Sequence, residues 1–111
     1  KLLYDIKEFT VRTGQKVTVN FKNDDFPPHN LLFVKPGTAD EVATLAIALG
    51  GEGFAKQFRP DTNKILYGST MLDHGQSTTI NFTAPEPGEY PYVCTFPGHA
   101  QLMRGVMKVV K

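Results

Sequence analysis

The stretch "YVCTFPGHAQLMRGV" sets Cys94, His99 and Met103 in the spacing Cys-x4-His-x3-Met, so a thiol, an imidazole and a thioether fall within ten residues. A second imidazole, His29 in "DFPPHN", lies sixty-five residues upstream of Cys94, and Pro27 and Pro28 stiffen its approach. Alone, a single cysteine in a β-domain is more often a small buried hydrophobe than a ligand. The company of two histidines and a methionine reverses that preference. Thiolate and imidazole suit zinc and copper alike, but a His2Cys set with a weak thioether as fourth donor suits copper, because soft sulfur favours Cu(I) and imidazole serves Cu(II). A catalytic zinc site would keep a position open for water, whereas here Met103 takes the fourth place. The expected chemistry is one-electron exchange without catalysis.

These donors need a scaffold, and the rest of the chain reads as one. In "QKVTVNFKN", Val17, Val19 and Phe21 alternate with Thr18, Asn20 and Lys22, the period of a half-buried strand. "QSTTINFTAP" repeats the pattern with Ile80 and Phe82. "GEYPYVC", "GVMKVV", "HNLLFV" and "KILYGSTML" read as further strands, and the chain opens at Lys1 with another strand-like segment. Turn signals in "RTGQ", "DHGQ" and "APEPGE" separate at least six short strands at the spacing of an antiparallel sandwich or barrel. Residues 95–104 then form a connecting loop, where rigid scaffolds carry their sites.

One segment departs from this rhythm. "TADEVATLAIALGG" predicts a helix with Thr38 as N-cap, Glu41 closing a capping box, and Gly50 and Gly51 as stop signals. Its predicted buried face is Val42, Leu45, Ala46 and Leu49. "GEGFAKQFRPDTN" reads as an irregular surface excursion. The fold class is therefore all-β, a Greek-key sandwich with one inserted helix, in a single domain over residues 1–111; that length leaves no room for a second core.

Composition removes several function classes. A formal net charge of +1 and no run of like charges give no support for nucleic-acid capture or an anionic membrane surface. No apolar run approaches membrane-spanning length. One cysteine excludes an internal disulfide framework and any zinc site built from two thiolates of one chain. The opening at Lys1, without an initiator Met, is consistent with a removed signal peptide or an excised domain. Among the remaining polar and sulfur residues, His74 in "LDHGQ" reads as a solvated turn residue. Met71 and Met107 read as core fillers. Tyr90 and Tyr92 fit a tyrosine corner, and Asp40 and Glu41 fit helix N-terminal charges.

The sequence "CTFPGHAQLMRGVMKVV", with "PPHN" upstream, resembles the ligand pattern of the azurin and auracyanin branch of the cupredoxins, the type 1 blue copper proteins. Plastocyanin-type members have a shorter gap between the cysteine and the second histidine. The resemblance extends over "KEFTVRTGQKVTVNFKN", the helical insert and "APEPGEYPYVC", and is weakest from Gly51 to Lys64. It implies one copper ion with His29, His99 and Cys94 as ligands and Met103 as the weak axial donor. It also implies a backbone carbonyl from Pro28 near the metal, Asn30 tying the two ligand loops together with its amide facing the thiolate, and a second amide from Phe96.

The same resemblance implies a periplasmic or otherwise extracytoplasmic electron carrier. Its docking surface would include Pro27, Pro97 and Ala100, with Phe26 nearby, and its redox partner would be a protein such as a cytochrome or a linked haem or dehydrogenase domain. The sequence lacks azurin's disulfide cysteines and any tryptophan, and "VKPGTADEV" is similar to copper modules joined to larger bacterial proteins. Copper storage or delivery, or a relay domain within a larger oxidoreductase, are the competing readings. A multicopper enzyme would need more histidines than the one, His74, that is left over.

Overall fold

The computed structural model describes residues 4–111. Seven strands form two layers: β1 (Glu8–Arg12), β2 (Lys16–Lys22), β3 (Leu32–Val34), β4 (Ile65–Gly68), β5 (Ser77–Thr83), β6 (Gly88–Val93) and β7 (Arg104–Val110). One sheet runs in the order β1-β7-β6-β3-β4 and the other pairs β2 with β5. The strand-like opening at Lys1 lies partly outside the described residues, and Tyr4 to Lys7 are not strand.

The alternation read in β2 and β5 is what the sandwich uses. Val17, Phe21 and Ile80 turn inward and meet Phe33, Tyr92, Met107 and Val109 of the facing sheet, while Lys16, Thr18, Asn20, Ser77, Thr79 and Asn81 face out. One ladder departs from the antiparallel expectation: β1 runs parallel to β7, with Phe9 opposite Met107. The cause is local. The turn after β1, with Gly14 at φ 79°, sends β2 into the other sheet, so β1 is left to pair with the last strand instead of forming a hairpin.

The helix α1 spans Ala39–Ala48, within the connection between β3 and β4. It covers the outer face of the larger sheet, where Val34 and Val93 pack with Ala39 and Val42. Its start and its buried face differ from expectation. The Thr38 hydroxyl donates to the Lys35 carbonyl at 2.7 Å, closing a turn, so it does not cap the helix and no capping box forms. Ala39, Val42, Ala43 and Ala46 make the buried face; Leu45 is exposed and Leu49 only half-buried. Small side chains let the helix lie close to the sheet, which leaves no space for leucines between them. Among the described residues, no helix is long and apolar enough to cross a membrane.

The excursion after α1 is less superficial than its sequence implies. A short 3-10 turn (Gly50–Glu52) leads into a loop that returns Phe58 to the interior, 4 % exposed. Gln57 and Phe58 both take positive φ to make that return.

Candidate metal centre

Three of the residues in question sit on or beside one hairpin. The β6–β7 ladder ends at the pair Val93 and Arg104, and the Cys94 amide then donates to the Met103 carbonyl at 3.0 Å, which closes the loop between them. Inside it, the Met103 amide donates to the His99 carbonyl at 2.8 Å, so His99 and Met103 are fixed one turn apart. Gly98 adopts φ 87° just before the histidine, a conformation that an L side chain resists.

His29 arrives from the other loop. Its backbone makes a two-bond bridge with Leu72, His29 amide to Leu72 carbonyl at 3.0 Å and the reverse at 2.8 Å. The result is a convergence: Cys94 Sγ lies 3.9 Å from His29 Nδ1 and 3.7 Å from His99 Nδ1. All three ligand atoms fall within 4.8 Å of one another, and the three residues are buried. Met103, 2 % exposed, belongs to the same buried cluster as Cys94.

The two ligand loops are locked together by Asn30, which is fully buried. Its Nδ2 donates to Thr95 Oγ1 at 2.9 Å, and its Oδ1 accepts the Thr95 amide at 2.8 Å. Thr95 Oγ1 in turn donates to the Phe58 carbonyl at 2.5 Å, which ties the excursion after α1 to the site. The Tyr4 hydroxyl donates to the Asn30 carbonyl. No buried side-chain nitrogen or oxygen among the described residues lacks a partner.

Electrostatics follow from burial. Desolvation pushes the Cys94 thiol up, and the backbone amides of Asn30 and Phe96, both directed at the sulfur, pull in the opposite direction. Burial lowers His99, and the neighbouring His29 lowers it further. The pocket therefore favours a neutral His99 and a sulfur whose charge appears only when a cation balances it.

Does this donor set fit a metal? Bonds of about 2.0 Å to nitrogen and about 2.3 Å to sulfur, meeting near ~120°, would separate the donor atoms by roughly 3.8 Å. The observed 3.7 and 3.9 Å match that span. No fourth histidine, cysteine or carboxylate among the described residues joins the cluster, as a structural zinc site would require. A trigonal His2Cys set is the copper arrangement.

The remaining expected residues are placed as follows. Pro28 is half-buried and lines a small cleft with Phe54, Gln57, Phe58 and Met71. Pro97 is exposed and Pro27 half-buried, while Ala100 packs against the Val34, Val42 and Val93 cluster under the helix. His74 is exposed, away from the donor cluster, and stacks on Phe26 with ring centroids 4.7 Å apart. Met107 is a core residue, and Met71 is half-buried. The Tyr90 hydroxyl donates to the Glu86 carbonyl at 2.7 Å, the bond of a tyrosine corner. Asp40, in the first turn of α1, pairs with Arg104 at 2.9 Å.

Sequence reasoning missed three residues here: Asp25, Phe58 and Thr95. Asp25 was signalled only by an acid four positions before His29, and its Oδ2 lies 3.0 Å from His29 Nε2.

A two-layer β-sandwich that gathers one thiol and two imidazoles at one end of its sheets defines a mononuclear centre for a soft metal. Comparison with known proteins agrees with that class. The chain matches the model of the copper binding proteins of the plastocyanin/azurin family over residues 1–110, and it belongs to that family. It is 40 % identical over 111 residues to auracyanin-A of Chloroflexus aurantiacus, covering 98 % of this chain and 68 % of the relative. Its identity to azurin-1 of Alcaligenes xylosoxydans xylosoxydans is 28 % over 116 residues, covering 96 % and 88 %. The structure of dithionite-reduced auracyanin from Roseiflexus castenholzii superimposes with a TM-score of 0.89 at 44 % identity, covering 99 % of this chain and 89 % of that one.

Proposed function

We propose that this protein is a type 1 blue copper electron carrier in which His29, Cys94 and His99 hold one copper ion, with Met103 as the weak axial donor. Copper supplies a Cu(I)/Cu(II) couple. The chain supplies the rest. The single observation that carries this reading is the placement of one sulfur 3.7 and 3.9 Å from two imidazole nitrogens in a buried, hydrogen-bonded frame.

Each part of that frame has a task. Cys94 gives a soft donor and the two imidazoles give borderline ones, so neither oxidation state is strongly preferred. The Asn30 and Phe96 amides stabilise negative charge on sulfur, and the bonds between Asn30 and Thr95 keep the two ligand loops from moving apart. Burial of His29, Cys94 and Met103, with His99 only 7 % exposed, excludes water as a ligand. A storage or delivery role calls for an open site that releases its metal, and such burial favours retention. The protein is an electron carrier, not an enzyme.

Electrons pass to and from a redox partner protein at the metal end. Phe54, 68 % exposed, touches Phe96 with ring centroids 5.9 Å apart, and Phe96 touches His99 at 4.8 Å. Phe54 thus reaches a ligand ring through two contacts, and Pro28 lines one cleft with it; Pro27 and Pro97, in the loops that carry His29 and His99, would extend that apolar surface. A patch of that kind suits the small, weak interfaces of redox encounters. The partner class we favour is a cytochrome or a haem or dehydrogenase domain of a longer chain, in an extracytoplasmic compartment; the family membership supports this.

The test is to add Cu(II) to the purified protein and record its visible spectrum. An intense thiolate-to-copper band, lost in Cys94→Ser, is expected. A colourless wild-type protein with its fold intact would overturn the assignment.

A further inference from the structure

The segment before His29 is organised by Asn23, whose side chain is 1 % exposed. Its Oδ1 accepts the Asp25 amide at 2.8 Å, and its Nδ2 donates to the carbonyls of Pro27 and Leu72, both at 2.9 Å. These bonds fold residues 24–27 into a tight loop and turn the Asp25 carboxylate toward His29. The His29 ring then has an assigned neighbour at each nitrogen: Nε2 faces Asp25 Oδ2 at 3.0 Å, and Nδ1 faces Cys94 Sγ at 3.9 Å. His99 shares the sulfur, with Nδ1 3.7 Å from Cys94 Sγ, and the other neighbours recorded for its ring are aromatic: Phe96 at 4.8 Å and His29 at 5.1 Å.

We infer that Asp25 is a positioning residue for His29. Its carboxylate accepts the Nε2 proton, fixes the tautomer that leaves the Nδ1 lone pair toward the centre, and places negative charge behind one imidazole. An outer carboxylate of this kind orients a ligating ring and raises its donor strength. The added negative charge favours the more highly charged oxidised ion, so it lowers the reduction potential. The Asp25 side chain is 27 % exposed, so solvent screens part of its charge. This inference rests on the copper assignment above.

Two substitutions separate charge from hydrogen bonding: Asp25→Asn keeps size and an acceptor oxygen, and Asp25→Ala removes both. Asp25→Asn should weaken Cu(II) affinity about tenfold, which raises the potential by ~59 mV if Cu(I) affinity is unchanged. Asp25→Ala should shift it at least as far, and Asp25→Glu should restore part of the difference. Melting of the copper-free variants measures any purely structural role. A melting change with the potential unmoved in Asp25→Asn would overturn the inference.

A second readout needs no variant to fold. In the diamagnetic Cu(I) wild-type protein, the His29 Nε2 proton should be protected from exchange, and free exchange there would also refute the role of Asp25. The two readings fail separately. A wild type without the thiolate band removes the copper assignment, whereas a blue wild type and a blue Asp25→Asn of equal potential remove only this one.

Discussion

The contact most open to quantitative test is the pair of bonds between Asn30 and Thr95. Asn30→Ala deletes both bonds in a fully buried place. The Thr95 hydroxyl keeps the Phe58 carbonyl as its acceptor, but the Thr95 amide is left without a partner. An unsatisfied buried donor costs about 1–3 kcal/mol, and the second lost bond adds about 1 kcal/mol. A loss of about 3 kcal/mol is therefore expected. For a domain of this size, at about 4 °C per kcal/mol, the copper-free protein should melt ~12 °C lower.

The assay is urea and thermal unfolding of the copper-free wild type, Asn30→Ala, Thr95→Val and the double variant. Because the two side chains share the Nδ2 to Oγ1 bond, the cycle should show a coupling of about 1 kcal/mol, while the bond from the Thr95 amide is lost only with Asn30. Copper-free protein is the right material, since bound metal would add its own stabilisation to that of the frame. Additive effects, or an Asn30→Ala variant within ~0.5 kcal/mol of wild type, would show that the frame is not held this way.

Three further outcomes are expected. Met103→Leu should keep copper and the thiolate band, cost less than about 1.5 kcal/mol as a volume-conserving swap, and raise the potential; an unchanged potential would count against Met103 as a donor. Gly105→Ala would place its Cβ 2.4 Å from the Tyr92 ring, which is buried and anchored through its hydroxyl to the Ile6 carbonyl, so equilibrium denaturation should show a loss of about 1–3 kcal/mol. Burial and then His29 hold His99 below the ordinary imidazole value, so the folded copper-free protein prefers it neutral. That stability is fully present above about pH 6.5 and is lost as pH falls through the lower folded value. Unfolding midpoints of copper-free protein should drop across that window, and His99→Gln should flatten the slope.

What the sequence revealed depended on whether a local pattern controlled the outcome. Val17, Val19 and Phe21 could be read as an inward face because strand alternation is set by backbone geometry. His29, Cys94 and His99 could be picked out as a candidate set because their chemistry is rare in this chain, and the structure brings their ligand atoms together; Met103 is buried in the same cluster as Cys94. Thr38 was misread because a hydroxyl can bond forward to the helix or back to Lys35, and the turn at Gly37 decided for Lys35. Phe58 was invisible because nothing periodic marks a loop that returns to the core. Asp25 needed the Asn23 turn to aim it, and that turn depends on the Leu72 carbonyl, 49 positions away in the chain. The parallel pairing of β1 with β7 is likewise a matter of topology, settled by where β2 goes and not by the residues of β1 itself.

The separation of His29 from Cys94 by 65 positions has a consequence for biogenesis. The first imidazole and the sulfur-bearing hairpin belong to different loops, so the donor set exists only once the 64 residues between them have folded and brought those loops together. An unfolded chain offers at most the neighbouring Cys94, His99 and Met103, so a complete set of donors is itself a product of folding.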